Sequence, residues 1–132
     1  EMYFLRAKNY LSKLETFGDF PIIKNTLPDE NEPLTQASKR EPRHKVARFI
    51  LEDLDQAIGL LTNNISGGKN RITKNAALLL KSRAALFEAS WLTYHRGTAL
   101  VPGGSGWPGK AEDIADFNID TEIAFFLKEA KE

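Results

Sequence analysis

Two long apolar stripes at helical spacing, in segments 43–62 and 74–96, constrain this chain more than any other feature. In the first, Val46, Phe49, Ile50, Leu54, Ala57, Ile58 and Leu61 recur at intervals that share a face, with Glu52, Asp53 and Asp55 on or beside the wet side. Side chains three and four apart stack on one face of an α-helix, so the pattern predicts an amphipathic helix. In the second, Ala77, Leu80, Ala84, Phe87 and Trp91 mark one face, and Leu79, Leu86 and Ala89 add a second apolar edge. Each segment is about twenty residues, or roughly 30 Å of helix. The short connection over 63–73 makes them antiparallel partners in a helical hairpin. Ala76, Ala77, Ala84, Ala85 and Ala89 let a neighbouring backbone approach closely. Phe49, Leu54, Ile58, Leu80, Phe87 and Trp91 are the expected core between the two helices.

Two further helices flank this pair. Over 1–17, Tyr3, Ala7, Tyr10, Leu14 and Phe17 fall on one face, and Gly18 supplies the stop. Residues 17–23 read as extended chain folding back on that helix. Over 120–132, Asp120 is the expected cap and Ile123, Phe126, Leu127 and Ala130 the core face. The partner of this last helix is expected beyond Glu132, which would leave Ile123, Phe126 and Leu127 as open apolar surface. Both ends of the sequence read as cut, since each lies within helical rhythm. Loops are expected over 18–42, with Pro28, Pro33 and Pro42, over 63–73, and over 97–119, with five glycines.

Boundary signals are local. Thr73 is a good cap for the helix over 74–96. Ser38 with Glu41 fits a capping box, but Pro42 fits the first helical position and is the favoured start of its helix. Asn63, Asn64, Ser66, Gly67 and Gly68 are the stop signal that ends the helix over 43–62. The fold class is therefore all-α: helical hairpins resembling tetratricopeptide repeats, with long loops, forming part of one larger helical domain. No clean internal repeat at the ~34-residue period is visible.

Composition narrows function by exclusion. Eighteen basic residues balance eighteen acidic ones, giving zero formal net charge. A nucleic-acid surface would show basic excess and clustering. The absence of cysteine removes disulfides, thiolate metal sites and cysteine nucleophiles. No apolar run reaches the ~20 residues that span a bilayer. Gly103-Gly104-Ser105-Gly106 lacks the strand-before, helix-after setting of a phosphate cradle, and Gly67-Gly68-Lys69 lacks phosphate-loop spacing. His44 and His95 are far apart and lie among cations, which disfavours a metal site. No cofactor is expected.

Three segments, taken together, resemble the RagB/SusD nutrient-uptake family of Bacteroidetes. The first is Phe4-Leu5-Arg6-Ala7, then Tyr10, then Phe17-Gly18-Asp19-Phe20-Pro21. It looks like the family's F-L-R-A helix followed by F-G-D-x-P. The second, Phe49 to Ile58, resembles the family's I-x-x-D-L-x-x-A segment through Ile50, Asp53, Leu54 and Ala57. The third is Arg71-Ile72-Thr73-Lys74-Asn75-Ala76-Ala77, followed by Leu80, Arg83, Ala84 and Leu86. It is similar to R-x-[TD]-K-x-A-A with L-x-x-R-[AL]-x-L, although Asn75 stands where the motif often has Gly. Residues 97–132 match less distinctively.

The resemblance implies an internal piece of a lipid-anchored protein on the outer face of the outer membrane. It implies binding of oligosaccharide or polysaccharide, association with a TonB-dependent (SusC-like) transporter, and no catalysis. Intact members are several times longer, with the signal peptide and lipidated cysteine upstream of the residue matching Glu1. Membrane contact would come only through that anchor. In the best-known starch-binding members the sugar-contacting aromatics lie mostly outside the matched segment.

Arg6 and Asp19, which the family motif keeps, have two readings: structural anchors, with Asp19 the partner of Arg6, or, for Arg6, a solvated helix arginine. Arg71 and Lys74 flank a helix start, where Lys74 opposes the helix dipole. A carboxylate from the preceding helix, Asp53 or Asp55, would relieve that conflict; the alternative is a screened surface charge worth almost nothing. Trp91 falls on a core stripe. Trp107, in Gly104-Ser105-Gly106-Trp107-Pro108-Gly109, has two readings: it could stack on a sugar ring, or plug a gap in its own protein or in a partner. The function expected is a glycan-binding accessory subunit in which this segment is mainly helical scaffold. The alternative is a generic tetratricopeptide-like protein-interaction module.

Overall fold

The computed structural model describes residues 1–64 and 70–131. Among them are five α-helices: α1 (Met2–Phe17), α2 (Asn31–Ala37), α3 (Arg43–Leu60), α4 (Lys74–Tyr94) and α5 (Ile119–Glu129). A 3-10 turn covers Ala111–Ile114. Ser66, Gly67, Gly68 and Lys69 lie outside the described residues, as does Glu132.

The helices pack as successive antiparallel neighbours, α1 on α3, α3 on α4 and α4 on α5. Polar contacts fix the directions. Arg6 near the start of α1 reaches Asp53 late in α3, and Arg43 at the start of α3 reaches Glu88 late in α4. Lys81 early in α4 pairs with Glu129 at the end of α5.

α3 is the central element, which explains its broad stripe. Val46, Ala47, Phe49, Ile50, Leu51, Leu54 and Ala57 are all buried because α1 covers one side and α4 the other. Ile58 is half-buried. α4 contributes mainly small side chains: Ala77, Ala84, Ala85, Ala89 and Leu92 are buried. Leu80, Phe87 and Trp91, expected in the core, are instead half-buried and pack against its margin. Leu79 and Leu86, the second apolar edge, are 74% and 52% exposed. The helix turns its alanines inward because two neighbours must approach it, and large residues would hold both away.

α1 buries Ala7, Leu11 and Leu14. The expected face is rotated accordingly: Tyr3 and Phe17 are exposed, and Leu11 takes the contact with α3. Tyr10 turns toward the returning chain, where its hydroxyl accepts the Ile23 N–H at 2.8 Å and its ring meets Phe49 at 4.9 Å. Gly18 ends the helix at φ 70°, donating to Leu14 O. The chain then forms one antiparallel bridge between Phe20 and Glu41. Inside the expected loop 18–42, α2 was not legible. It spans two turns, lacks a capping side-chain bond and buries no residue.

Caps match the local signals in part. Thr73 Oγ1 accepts from Ala76 N. Pro42 is the cap residue of α3 and not its first helical residue. For α5 the cap is Asn118, which accepts from Thr121 N, and Asp120 lies within the first turn. The open surface expected on α5 is largely absent. Phe126 is fully buried against the core and Ile123 half-buried, leaving Leu127 41% exposed. α4 provides that cover, packing along α5.

Candidate functional site

The sequence motifs converge where α1 ends and α3 begins. Asp19 follows the left-handed Gly18 turn, so its carboxylate points back at the start of α3. Oδ1 accepts the Arg43 N–H at 2.8 Å. Pro42 has no side chain able to cap, and a helix start leaves N–H groups without partners. Asp19 supplies that acceptor from another element. Its Oδ2 accepts the indole Nε1–H of Trp107 at 2.8 Å. One carboxylate thus ties together the α1 turn, the α3 start and the glycine-rich loop.

Beneath this junction lies a buried ion pair. Arg43 Nε donates to Glu88 Oε1 at 2.9 Å and Nη2 to Oε2 at 2.7 Å. Both side chains are excluded from water, and the guanidinium also lies 4.4 Å from the Trp91 ring centroid. Burial pushes the Glu88 carboxyl upward, against the pull of Arg43. Trp91 Nε1 donates to Leu100 O, which secures the 97–110 loop to α4. The result is a recess of about 280 Å³ whose walls include Phe17, Trp91, Leu100 and Trp107, with Glu15, Asp19 and Arg40 among its polar groups. It offers aromatic surface and hydrogen-bonding groups together. Asp19 spends both oxygens on structural bonds, which removes it as a free base.

A second recess, of about 380 Å³, lies between the start of α3, the 111–117 segment and the start of α5. His44 is buried there with its ring 4.6 Å from Phe117. Its Nδ1 has no hydrogen-bond partner among the described residues. Burial lowers its pKa to about 4, so the imidazole is neutral near pH 7. Beside it, Arg48 forks onto Glu122 at 3.0 and 2.9 Å and lies over the Phe125 ring.

The other expected anchors find different partners. Arg6 does not pair with Asp19. It forks onto Asp53 at 2.7 Å through both Nε and Nη2, and Nη1 donates to Lys24 O. The Phe49 ring lies 5.1 Å from its guanidinium, and the Asp53 bond raises its pKa further. α1 and α3 are adjacent along their length, so Asp53 is within reach and Asp19, beyond the helix end, is not. Arg71 forks onto Glu1 at 2.8 and 2.9 Å, and that bond holds the Glu1 carboxyl at about 2. Lys74 gains no carboxylate from α3: Asp53 is taken by Arg6, and Asp55 by Lys81 at 2.7 Å. Arg43, Glu88 and Glu122 did not stand out as site residues in the sequence. Glu88 carried a usable signal, because it stands in register with the buried alanines of α4, and a charge there requires a partner.

Among the described residues, no group of three or more His, Cys, Asp or Glu is placed to hold a metal ion. No described helix is long and apolar enough to cross a membrane.

Fold and site together define a class: an all-α stack of antiparallel helices whose motif residues lock helix junctions around an aromatic recess. No family model matches the chain, and no curated protein does. Among solved structures, a SusD-like protein from Bacteroides fragilis is similar, with a TM-score of 0.59 and 31% sequence identity. The match takes in 67% of this chain and 17% of that protein. The chain is a SusD-like fragment, as the three sequence segments imply, and it spans a small part of its relative's length.

Proposed function

We propose that this chain is part of a glycan-binding accessory subunit that delivers oligosaccharide to a TonB-dependent outer-membrane transporter. The observation that carries this reading is the SusD-like match, in which sequence and helical arrangement agree over two thirds of the chain. The protein binds its ligand without cleaving it, and is held at the cell surface by a lipid anchor. Within it, this segment is chiefly scaffold. Asp19, Arg43, Glu88, Arg6 and Asp53 hold the helices in register, and Trp107 offers a contributing sugar contact at the aromatic recess. Aromatic surface beside hydrogen-bonding groups suits a polyhydroxylated ring, whose faces are apolar and whose rim is polar.

The test uses the intact protein with gluco-, manno-, xylo- and galacto-oligosaccharides. Saturable binding to at least one series, with no reducing ends released, is expected. Co-purification with a TonB-dependent transporter from its own membranes is expected as well. Release of reducing ends by pure protein would refute the non-catalytic reading.

The outer face of α4 favours a second reading, a helical protein-interaction module. Leu79 and Leu86 stand exposed beside Phe87 along a shallow apolar groove. Stable capture of a protein partner, with no oligosaccharide bound, would select it.

A further inference from the structure

A tryptophan in a glycine-rich loop ordinarily samples several rotamers, and ordering it on binding costs affinity. Trp107 is held instead by two contacts. Its Nε1–H donates to Asp19 Oδ2 at 2.8 Å. Gly109 lies directly against the six-membered ring, so that a β-carbon there would overlap Cζ2, Cη2 and Cζ3. Asp19 is fixed in turn by its bond to the first N–H of α3. The loop closes behind the indole, with Ser105 N bonded to Gly97 O and Trp107 N to Gly104 O.

We propose that Trp107 is a preset stacking platform for a sugar ring, and that Asp19 and Gly109 are the positioning residues that set it. This rests on the glycan-binding reading above. It explains why Gly stands at 109, where its φ is not in the left-handed region: what the position excludes is a side chain, not a conformation. It also gives the Asp of the F-G-D segment two roles, capping α3 and orienting the indole. The recess then has the same walls before and after binding, and loop ordering is completed during folding.

The experiment uses the full-length protein labelled with 5-fluorotryptophan, the same four oligosaccharide series, and the variants Trp107→Ala, Gly109→Ala and Asp19→Asn. Loss of a resonance in Trp107→Ala assigns the Trp107 signal. Trp107→Ala is expected to weaken binding about three- to tenfold, the loss of one aromatic contact. Gly109→Ala should shift the Trp107 resonance and weaken binding to a similar extent, with little change in Tm. A shifted resonance with unchanged affinity, or an unshifted resonance, overturns the positioning role alone. If Gly109→Ala does not fold, Asp19→Asn decides by the same two readouts, since an amide cannot accept both bonds through its two terminal atoms. Unchanged affinity in Trp107→Ala, or no binding of any series by the wild type, removes the proposed sugar contact itself and the platform with it.

Discussion

Glu88 is fully buried on α4 and meets Arg43 across the hairpin, so the two residues stand or fall together. Removing one partner of a buried pair leaves an uncompensated charge, which costs about 3–5 kcal/mol. Arg43→Met should therefore lower stability by about that much in urea titrations, whereas Arg43→Met with Glu88→Leu should recover most of the loss. His44 gives a pH dependence. Its folded pKa is near 4 against 6.5 for the free side chain, so between those values the unfolded chain binds more protons. The stability associated with His44 is complete above pH 6.5 and is lost as pH falls toward 4, by about 3 kcal/mol in all. Denaturation at pH 7 and pH 4.5 should show this decline, and His44→Gln should flatten it. At this scale the sequence offers candidate residues but not their partners: Arg6 was expected to meet Asp19, and it meets Asp53, 47 positions away. Only packing makes such a pair.

Helix existence was legible for α1, α3, α4 and α5 because each carries a stripe long enough to show its period. α2 was not, since it buries nothing and so writes no apolar pattern. Orientation was harder on α4, whose apolar residues surround much of the helix. Large side chains were expected inward, yet packing between α3 and α5 placed alanines there. Mutation should expose the difference. Leu92 is fully buried, and Leu92→Ala should cost about 2–5 kcal/mol. Leu86 is 52% exposed, and Leu86→Ala should change the stability of this segment by no more than about 0.5 kcal/mol. Thr73→Ala, which removes the α4 cap bond to Ala76 N, should cost about 1 kcal/mol. Equilibrium unfolding of the three variants checks all three values.

Across the whole molecule, four helices pack in chain order, α1 on α3 on α4 on α5, and the loops between them carry the recesses. The recess was the least legible feature. Trp107 stood out as an aromatic in a glycine-rich loop, but its junction with Asp19 joins positions 88 apart. The match to a relative reaches 17% of that protein, so under the proposed function most ligand contacts lie outside these residues. Residues 1–132 alone, once shown by circular dichroism to be helical, should bind oligosaccharide weakly or not at all. The proposed function is capture without cleavage by the intact protein, and calorimetric titration against the four oligosaccharide series is its test. A saturable isotherm with at least one series, and no reducing ends released at the end of the titration, is the expected result. A flat isotherm with every series, or binding accompanied by cleavage, would contradict it.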